Sequence, residues 1–322
     1  VDAATKQGRE FDAKAVMGIG GGSPIDAAKA TAILLANNGK TARDLMEIKF
    51  TPDKALPIGA VNLTHGTGTE TNRFAVVTIP ETQYKPAIAY DCIYPSYSID
   101  DPGLMMNLSP EQTKYVSIDA VNRSIEAATS KVASPYSITT AKECISLVAK
   151  YLPIINKNPQ DREARYFLLY ASILGGVSFD NGLLHFTHAL EHPLSGIKPK
   201  LSHGLGLAMI LPAVIKYIYP KKAQTLSSLL HSIIPDLKGI PQEADYAAKK
   251  VEEWLYSVGV TKKLSDEGFV ESDIDKLVNL TFETPSLAGL ISIAPIDGTK
   301  DVVSAIFRES LLPYVHAEKS KN

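Results

Sequence analysis

The sequence predicts an α/β layer followed by an all-helical domain, and three observations carry that prediction. Short apolar runs broken by glycines and polar turns occupy roughly the first hundred of the 322 residues. Long helical patterns, two of them opened by Ser-Pro, occupy the rest. The change of character falls once, which divides the chain into residues 1–105 and 106–322. This length suits about two domains, and an apolar content of 45% supports substantial cores.

KAVMGI (14–19) is the first strand-like run and ends in glycines. SPIDAAKATAILLAN follows with helical spacing. Ser23 is placed to cap that helix, Pro24 suits its first position, and Asp26 stands where a capping-box acid belongs. ALPIGAV (55–61), RFAVVTI (73–79) and PAIAYD (86–91) read as further strands between polar turns. The helical half begins with Ser109 as cap, Pro110 as first helical residue and Gln112 at the capping-box position. Ser134 and Pro135 repeat the device, with Pro153 expected to stop that helix. Helical patterns continue over 161–179, 204–217, 243–257 and 298–310, and FETPSLAGLISIAPIDG (282–298) reads as a Gly/Pro-punctuated connection.

Thirty-three basic and thirty-five acidic residues leave a net charge of −2, which gives no electrostatic footprint for nucleic acid or an anionic membrane. Cys92 and Cys144 are lone and far apart; they fit a reducing compartment and form neither a zinc ribbon nor a redox pair. No apolar run reaches transmembrane length and no charged-then-apolar leader opens the chain. The expectation is a cytoplasmic protein with no membrane or nucleic-acid partner.

Two loops and a histidine cluster carry the chemistry. GIGGGSPIDAAK sets Gly20, Gly21 and Gly22 between a strand and a helix, where bare backbone and free N–H groups can receive a phosphate. A tight turn alone would also explain them, and the spacing is not G-x-G-x-x-G. NLTHGTGTETNRF (62–74) gathers hydroxyls and small residues between two strands. Two such loops at strand ends of one α/β domain point to nucleotide binding. His185, His188, His192 and His203 place four of the seven histidines within nineteen positions, and His188 and His192 share a helix face. Two neutral imidazoles with one carboxylate make a sound set for a first-row metal. SIDAVNRSIEA (117–127) offers the carboxylate of Asp119, but Arg123 lies four residues on, on the same face.

With these pieces in hand the chain resembles the iron-containing (group III) alcohol dehydrogenase family. GGGSPIDAAK, THGTGTE, RFAVV, SIDAVNRSIEA, HALEHPL and SHGLGLAMILP stand in that family's order from about residue 12 to 217. The resemblance implies a dehydroquinate synthase-like architecture: a dinucleotide-binding α/β domain, here without its usual first strand–helix units, then a helical metal and substrate domain. NAD or NADP would meet a divalent metal, Fe2+ by family and Zn2+ as the other option, in the cleft between them. Asp119, His188 and His203 would hold the metal, with Arg123 standing where the family has a first histidine. Gly20, Gly21, Gly22, Ser23 and Asp26 would belong to the pyrophosphate side of the cofactor site, Thr64 and Thr67 to its second loop, and Lys85 would touch the cofactor. His192 would lie near the substrate and relay a proton. Departures from the family pattern are Asn62-Leu63 for Pro-Thr, His65 for a small residue and Asn72 for threonine.

The implied activity is NAD(P)-dependent interconversion of a primary or small alcohol and its aldehyde or ketone by metal-assisted hydride transfer, in a homo-oligomer. Arginine has no lone pair for a metal, so three readings of Arg123 stay open. The metal is held by three ligands with Arg123 swung aside or paired with a substrate carboxylate; or Arg123 pairs with Asp119 and takes over the cation's role; or the substitution marks a damaged copy. The rival functions are a non-catalytic, metal-impaired member and a metal-dependent lyase on the same scaffold.

Overall fold

The computed structural model describes residues 1–314. Helix α1 (Asp2–Glu10) precedes strand β1 (Val16–Gly20), α2 (Gly22–Ala36), α3 (Ala42–Met46) and β2 (Ile58–Asn62). Strands β3 (Phe74–Val76), β4 (Ala87–Ala89) and β5 (Tyr97–Asp100) follow. β1, β2 and β5 form a parallel sheet in that order, with Gly20 beside Asn62 and Asn62 beside Asp100; β3 and β4 pair antiparallel. The strands are short and rich in small or β-branched residues, as a sheet packed closely under a helix requires. α2 covers one sheet face, burying Ala30, Ile33 and Leu34 in a core shared with Leu45, Ile58 and Ile88. The other face is bare: Met17, Ile19, Tyr97 and Ile99 are all exposed.

From Pro110 onward the described chain is helical: α4 (Pro110–Thr129), α5 (Pro135–Lys157), α6 (Arg162–Gly182), α7 (Phe186–Ile197), α8 (His203–Leu229), α9 (Ala244–Ser257), α10 (Ile274–Glu283), α11 (Leu287–Ser292) and α12 (Lys300–Glu309). One large apolar core runs through them, from Ile118 and Val121 on α4 to Phe307 on α12. The expected caps form where α4 and α5 begin: Gln112 N–H donates to Ser109 Oγ and Ser137 N–H to Ser134 Oγ, each at 3.1 Å. No single described helix is long and apolar enough to cross a membrane.

Four expectations give way. α2 is capped by Gly21 without a side-chain bond, so Ser23 and Pro24 lie inside its first turn rather than at its mouth. Asp26 does not cap; its carboxylate accepts from Thr69 Oγ1 at 2.6 Å and Val76 N–H at 3.0 Å. Pro153 does not stop α5, which runs on to Lys157, because Leu152 and Ile155 are buried in the helical core on either side of it. The 282–298 connection contains α11, held by buried Leu287 and Ile291.

The loop after β2 is seated between the two halves of the chain. Gly66, at φ +110°, lies where a Cβ would run into the Val116 carbonyl of α4. Gly68, at φ +59°, would bring a Cβ to 2.6 Å from Gly176 Cα on α6. Only glycine takes such backbone angles without strain and allows so close an approach.

Candidate active site

Helix α4 presents Asp119, Arg123 and Glu126 at i, i+4 and i+7, one face directed at α7 and α8. α7 presents His188, Glu191 and His192, and His203 is the first residue of α8. Asp119, His188 and His203 each bring a ligand atom to within 4.8 Å of the others. Asp119 Oδ1 and His188 Nε2 are 3.4 Å apart. Donors about 2.0–2.1 Å from a tetrahedral zinc stand about 3.3–3.4 Å from one another, so this spacing is that of a metal edge. Both atoms are buried and lack a hydrogen-bond partner among the described residues. Burial alone would lower His188, but Glu126 and Asp119 outweigh it and hold it up at about 9, so a proton on Nε2 faces Asp119 Oδ1 where a metal would displace it.

Two carboxylates that the sequence reading passed over fix the imidazoles. Glu126 engages His188 Nδ1, and its other oxygen accepts from His185 N–H at 3.0 Å and His188 N–H at 3.2 Å, capping α7. Glu191 engages His203 Nδ1. In each case one ring nitrogen is occupied and the other is left for the metal, the arrangement by which carboxylates orient metal-binding histidines. The signal was available in the sequence: Glu126 lies seven residues after Asp119, and Glu191 three after His188. Burial alone would raise the Asp119 carboxyl, but the Arg123 guanidinium and His188 outweigh it and hold it down at about 2. Burial pushes His203 down, aided by Lys85, so it is neutral near pH 7, as a ligand must be.

Arg123 does not swing out; it makes the pair with Asp119 that the second reading of this residue expects. It is buried and pairs with Asp119 Oδ2, leaving Oδ1 free for His188 and the metal position. The same guanidinium donates to the Thr67 carbonyl. Three ligands plus an open position is a normal catalytic zinc arrangement, and two histidines with one carboxylate also suit Fe(II). The donor set therefore fits a divalent metal beside Arg123. His203 is the exposed member, at 30% of its side chain, against 4% for His188 and 3% for Asp119. The site opens on its side. Glu191, His192 and His203 also cluster, but Lys85 Nζ lies 3.4 Å from both Glu191 Oε2 and His203 Nδ1, so an ammonium already fills that side.

The cofactor loops meet at the C-terminal ends of β1 and β2, where open α/β sheets receive their ligands. Gly21 and Gly22 face Thr64 and Thr67: a Cβ on either would come to 2.9 Å from the threonine opposite. Thr64 Oγ1 and Thr67 Oγ1 are buried without partners among the described residues, and a dinucleotide's pyrophosphate would satisfy them. Asn62 shapes this loop, donating to Asp100 Oδ1 at 3.0 Å and accepting from Thr64 N–H at 3.2 Å. The remaining candidates lie elsewhere. Asp26 sits beneath the loop with Lys29, Ser23 lies in the first turn of α2, and Lys85 donates to Ser195 Oγ at 2.9 Å beside Glu191. His65 is buried against α4, its Nε2 2.8 Å from Ser117 Oγ. His192 is buried 5.8 Å from the His203 ring, with Nδ1 unpartnered among the described residues.

Comparison with known proteins identifies the family. Residues 1–102 match the family described as iron-containing alcohol dehydrogenase, and residues 113–311 match its C-terminal domain. The long-chain primary alcohol dehydrogenase AdhA of Thermoanaerobacter ethanolicus is 61% identical over 310 residues, covering 96% of this chain and 78% of that one. Among solved structures, the NADH-dependent butanol dehydrogenase A of Thermotoga maritima superposes with a TM-score of 0.88 at 28% identity, over 96% of this chain and 79% of that one. The sulfoacetaldehyde reductase of Bifidobacterium kashiwanohense, solved with NAD+, gives 0.81 at 26% identity, over 96% and 79%. The chain belongs to the iron-containing alcohol dehydrogenase family.

Proposed function

We propose that this chain is a nicotinamide-dependent alcohol dehydrogenase whose divalent metal is held by Asp119, His188 and His203 alone. The observation that carries the reading is the meeting of Asp119 Oδ1 and His188 Nε2, both buried and unpartnered among the described residues, beside His203. Alcohol–aldehyde oxidoreduction is the activity of the family, which works with NAD(H) and a divalent metal, typically Fe2+. Membership in it and the meeting of Asp119, His188 and His203 weigh against the non-catalytic alternative. When bound, the metal supplies Lewis-acid polarisation of the substrate oxygen, and the nicotinamide supplies the hydride carrier.

The chain's own residues do the rest. Glu126 and Glu191 hold the two imidazoles in place, and Arg123 holds Asp119. Thr64, Thr67 and the glycine backbone receive the pyrophosphate. Burial and the Lys85 ammonium keep His192 well below its ordinary pKa, so it stands as a neutral imidazole beside His203, able to orient the substrate by a hydrogen bond. The similarity to AdhA supports a primary alcohol as substrate. The lone cysteines support the cytoplasm, and the bare apolar sheet face supports a homo-oligomer.

The test is NAD+-linked oxidation of a series of primary alcohols by protein loaded with Fe(II) or Zn(II). Turnover that disappears in His203→Ala and in chelator-treated protein is expected. Turnover indifferent to both would overturn the reading.

A further inference from the structure

Arg123 touches both halves of the site at once. Its Nη2 pairs with Asp119 Oδ2 and its Nη1 donates to the Thr67 carbonyl. Its guanidinium carbon lies 6.0 Å from the centre of the Phe179 ring, and a Cβ on Gly68 would come to 3.2 Å from its Nη1. The group is therefore wedged between α4, α6 and the loop that carries Thr64 and Thr67. A guanidinium is planar and its donors keep a fixed spacing, so the position of one acceptor fixes that of the other. Lysine would put one point-like nitrogen on a flexible stem in place of two donors at a fixed spacing.

We propose that Arg123 is a positioning residue that couples the metal to the dinucleotide: it fixes the Asp119 carboxylate with one nitrogen and the cofactor loop at Thr67 with another. The proposal rests on the three-ligand metal site above. Where Asp119 Oδ1 is drawn to a metal, Oδ2 is set by the same rigid carboxylate. The guanidinium follows it, and the Thr67 carbonyl follows the guanidinium. Thr67 Oγ1, without a partner among the described residues, is carried with the loop. Metal then favours the loop arrangement that binds dinucleotide, and by linkage dinucleotide favours metal by the same factor. A histidine at residue 123 would add a ligand and lose this bridge.

The experiment measures NADH binding by fluorescence in chelator-stripped and Zn(II)-loaded protein, for the wild type, Arg123→Lys and Arg123→Gln. Thermal melts verify that each variant is folded, and competition titration gives its Zn(II) affinity. In the wild type, Zn(II) is expected to tighten NADH binding at least about fivefold, and NADH to tighten Zn(II) equally. Arg123→Lys, which keeps the cation, is expected to bind Zn(II) within a few-fold of the wild type while the effect of metal on NADH falls to about twofold or less. Arg123→Gln is expected to lose the coupling as well. A folded, Zn(II)-binding Arg123→Lys protein that keeps the full wild-type coupling would overturn the proposal, as would a wild type that binds both without coupling. A wild type that takes up no metal would instead strike the metal reading, and this inference with it.

Discussion

Glu126 and Glu191 each decide where an imidazole points. The Glu126→Gln variant keeps an acceptor for the α7 backbone but loses the charge at His188 Nδ1. Its metal affinity is expected to fall about 10–100-fold in a competition titration, with folding retained. Single residues of this kind were legible only in part. Asp119, His188 and His203, named from the motifs shared with the family, are brought together by the structure. The two glutamates stood inside the same motifs at helical spacing from Asp119 and His188 and were not read, since that spacing gives the shared face but not which ring nitrogen each carboxylate meets. Glu70 makes the same point for charge. It is buried and both carboxylate oxygens lack partners among the described residues. Burial pushes its carboxyl up to about 7 from the ordinary 4.5, and Asp100 adds to this against the weaker pull of Arg123 and Lys29. Between those values the folded chain keeps a proton that the unfolded chain has released, so stability falls as pH rises through this window and is level above it. Glu70→Gln is expected to be stabilising at pH 8, by about 1–3 kcal/mol, and close to neutral at pH 4.5; urea unfolding at the two values measures it.

At the scale of the element, α2 shows how a correct helix can carry a wrong account of its start. Ser23, Pro24 and Asp26 have the look of a cap, but three glycines in succession let Gly21 take that place. Asp26 turns inward to Thr69 and Val76, and the Lys29 ammonium donates to the carbonyls of Thr69 at 2.6 Å, Asn72 at 2.7 Å and Phe74 at 2.7 Å. A buried cation thus ties α2 to the end of the cofactor loop and to β3. Lys29→Met leaves three buried carbonyls without their donor and Asp26 without the nearby cation, and is expected to cost about 3–5 kcal/mol in urea unfolding. Restoration of most of that loss in the Lys29→Met/Asp26→Asn double variant would identify the stranded charge as the cause. α5 misled in the opposite sense: Pro153 costs one backbone hydrogen bond, but tertiary burial of Leu152 and Ile155 carries the helix past it. Propensity marked both positions correctly; packing, which the sequence does not display, decided them.

Across the whole molecule the two-part organisation was readable, because strand-like runs and amphipathic helices occupy separate stretches of the chain. The site between the parts was readable only as motifs, since the contacts of Gly66 with α4 and Gly68 with α6 join residues far apart in sequence. β5 escaped notice because its alternating residues Tyr97 and Ile99 face outward rather than into a core. With Met17 and Ile19 they form a bare apolar face on a parallel sheet, a kind of sheet that is usually covered on both sides. The Ile19→Thr/Ile99→Thr variant is expected to bind a hydrophobic dye severalfold less than the wild type and to self-associate less by light scattering. Unchanged dye binding would mean that this face is covered in solution.

The measurement that tests the central claim most directly is a Co(II) titration of chelator-stripped protein, followed by visible absorption under anaerobic conditions. The three-ligand site predicts one equivalent bound per chain with Arg123 in place, and loss of that uptake in both Asp119→Ala and His203→Ala. Failure of the wild type to take up metal, with uptake restored by Arg123→His, would contradict it and show that the arginine has silenced the site.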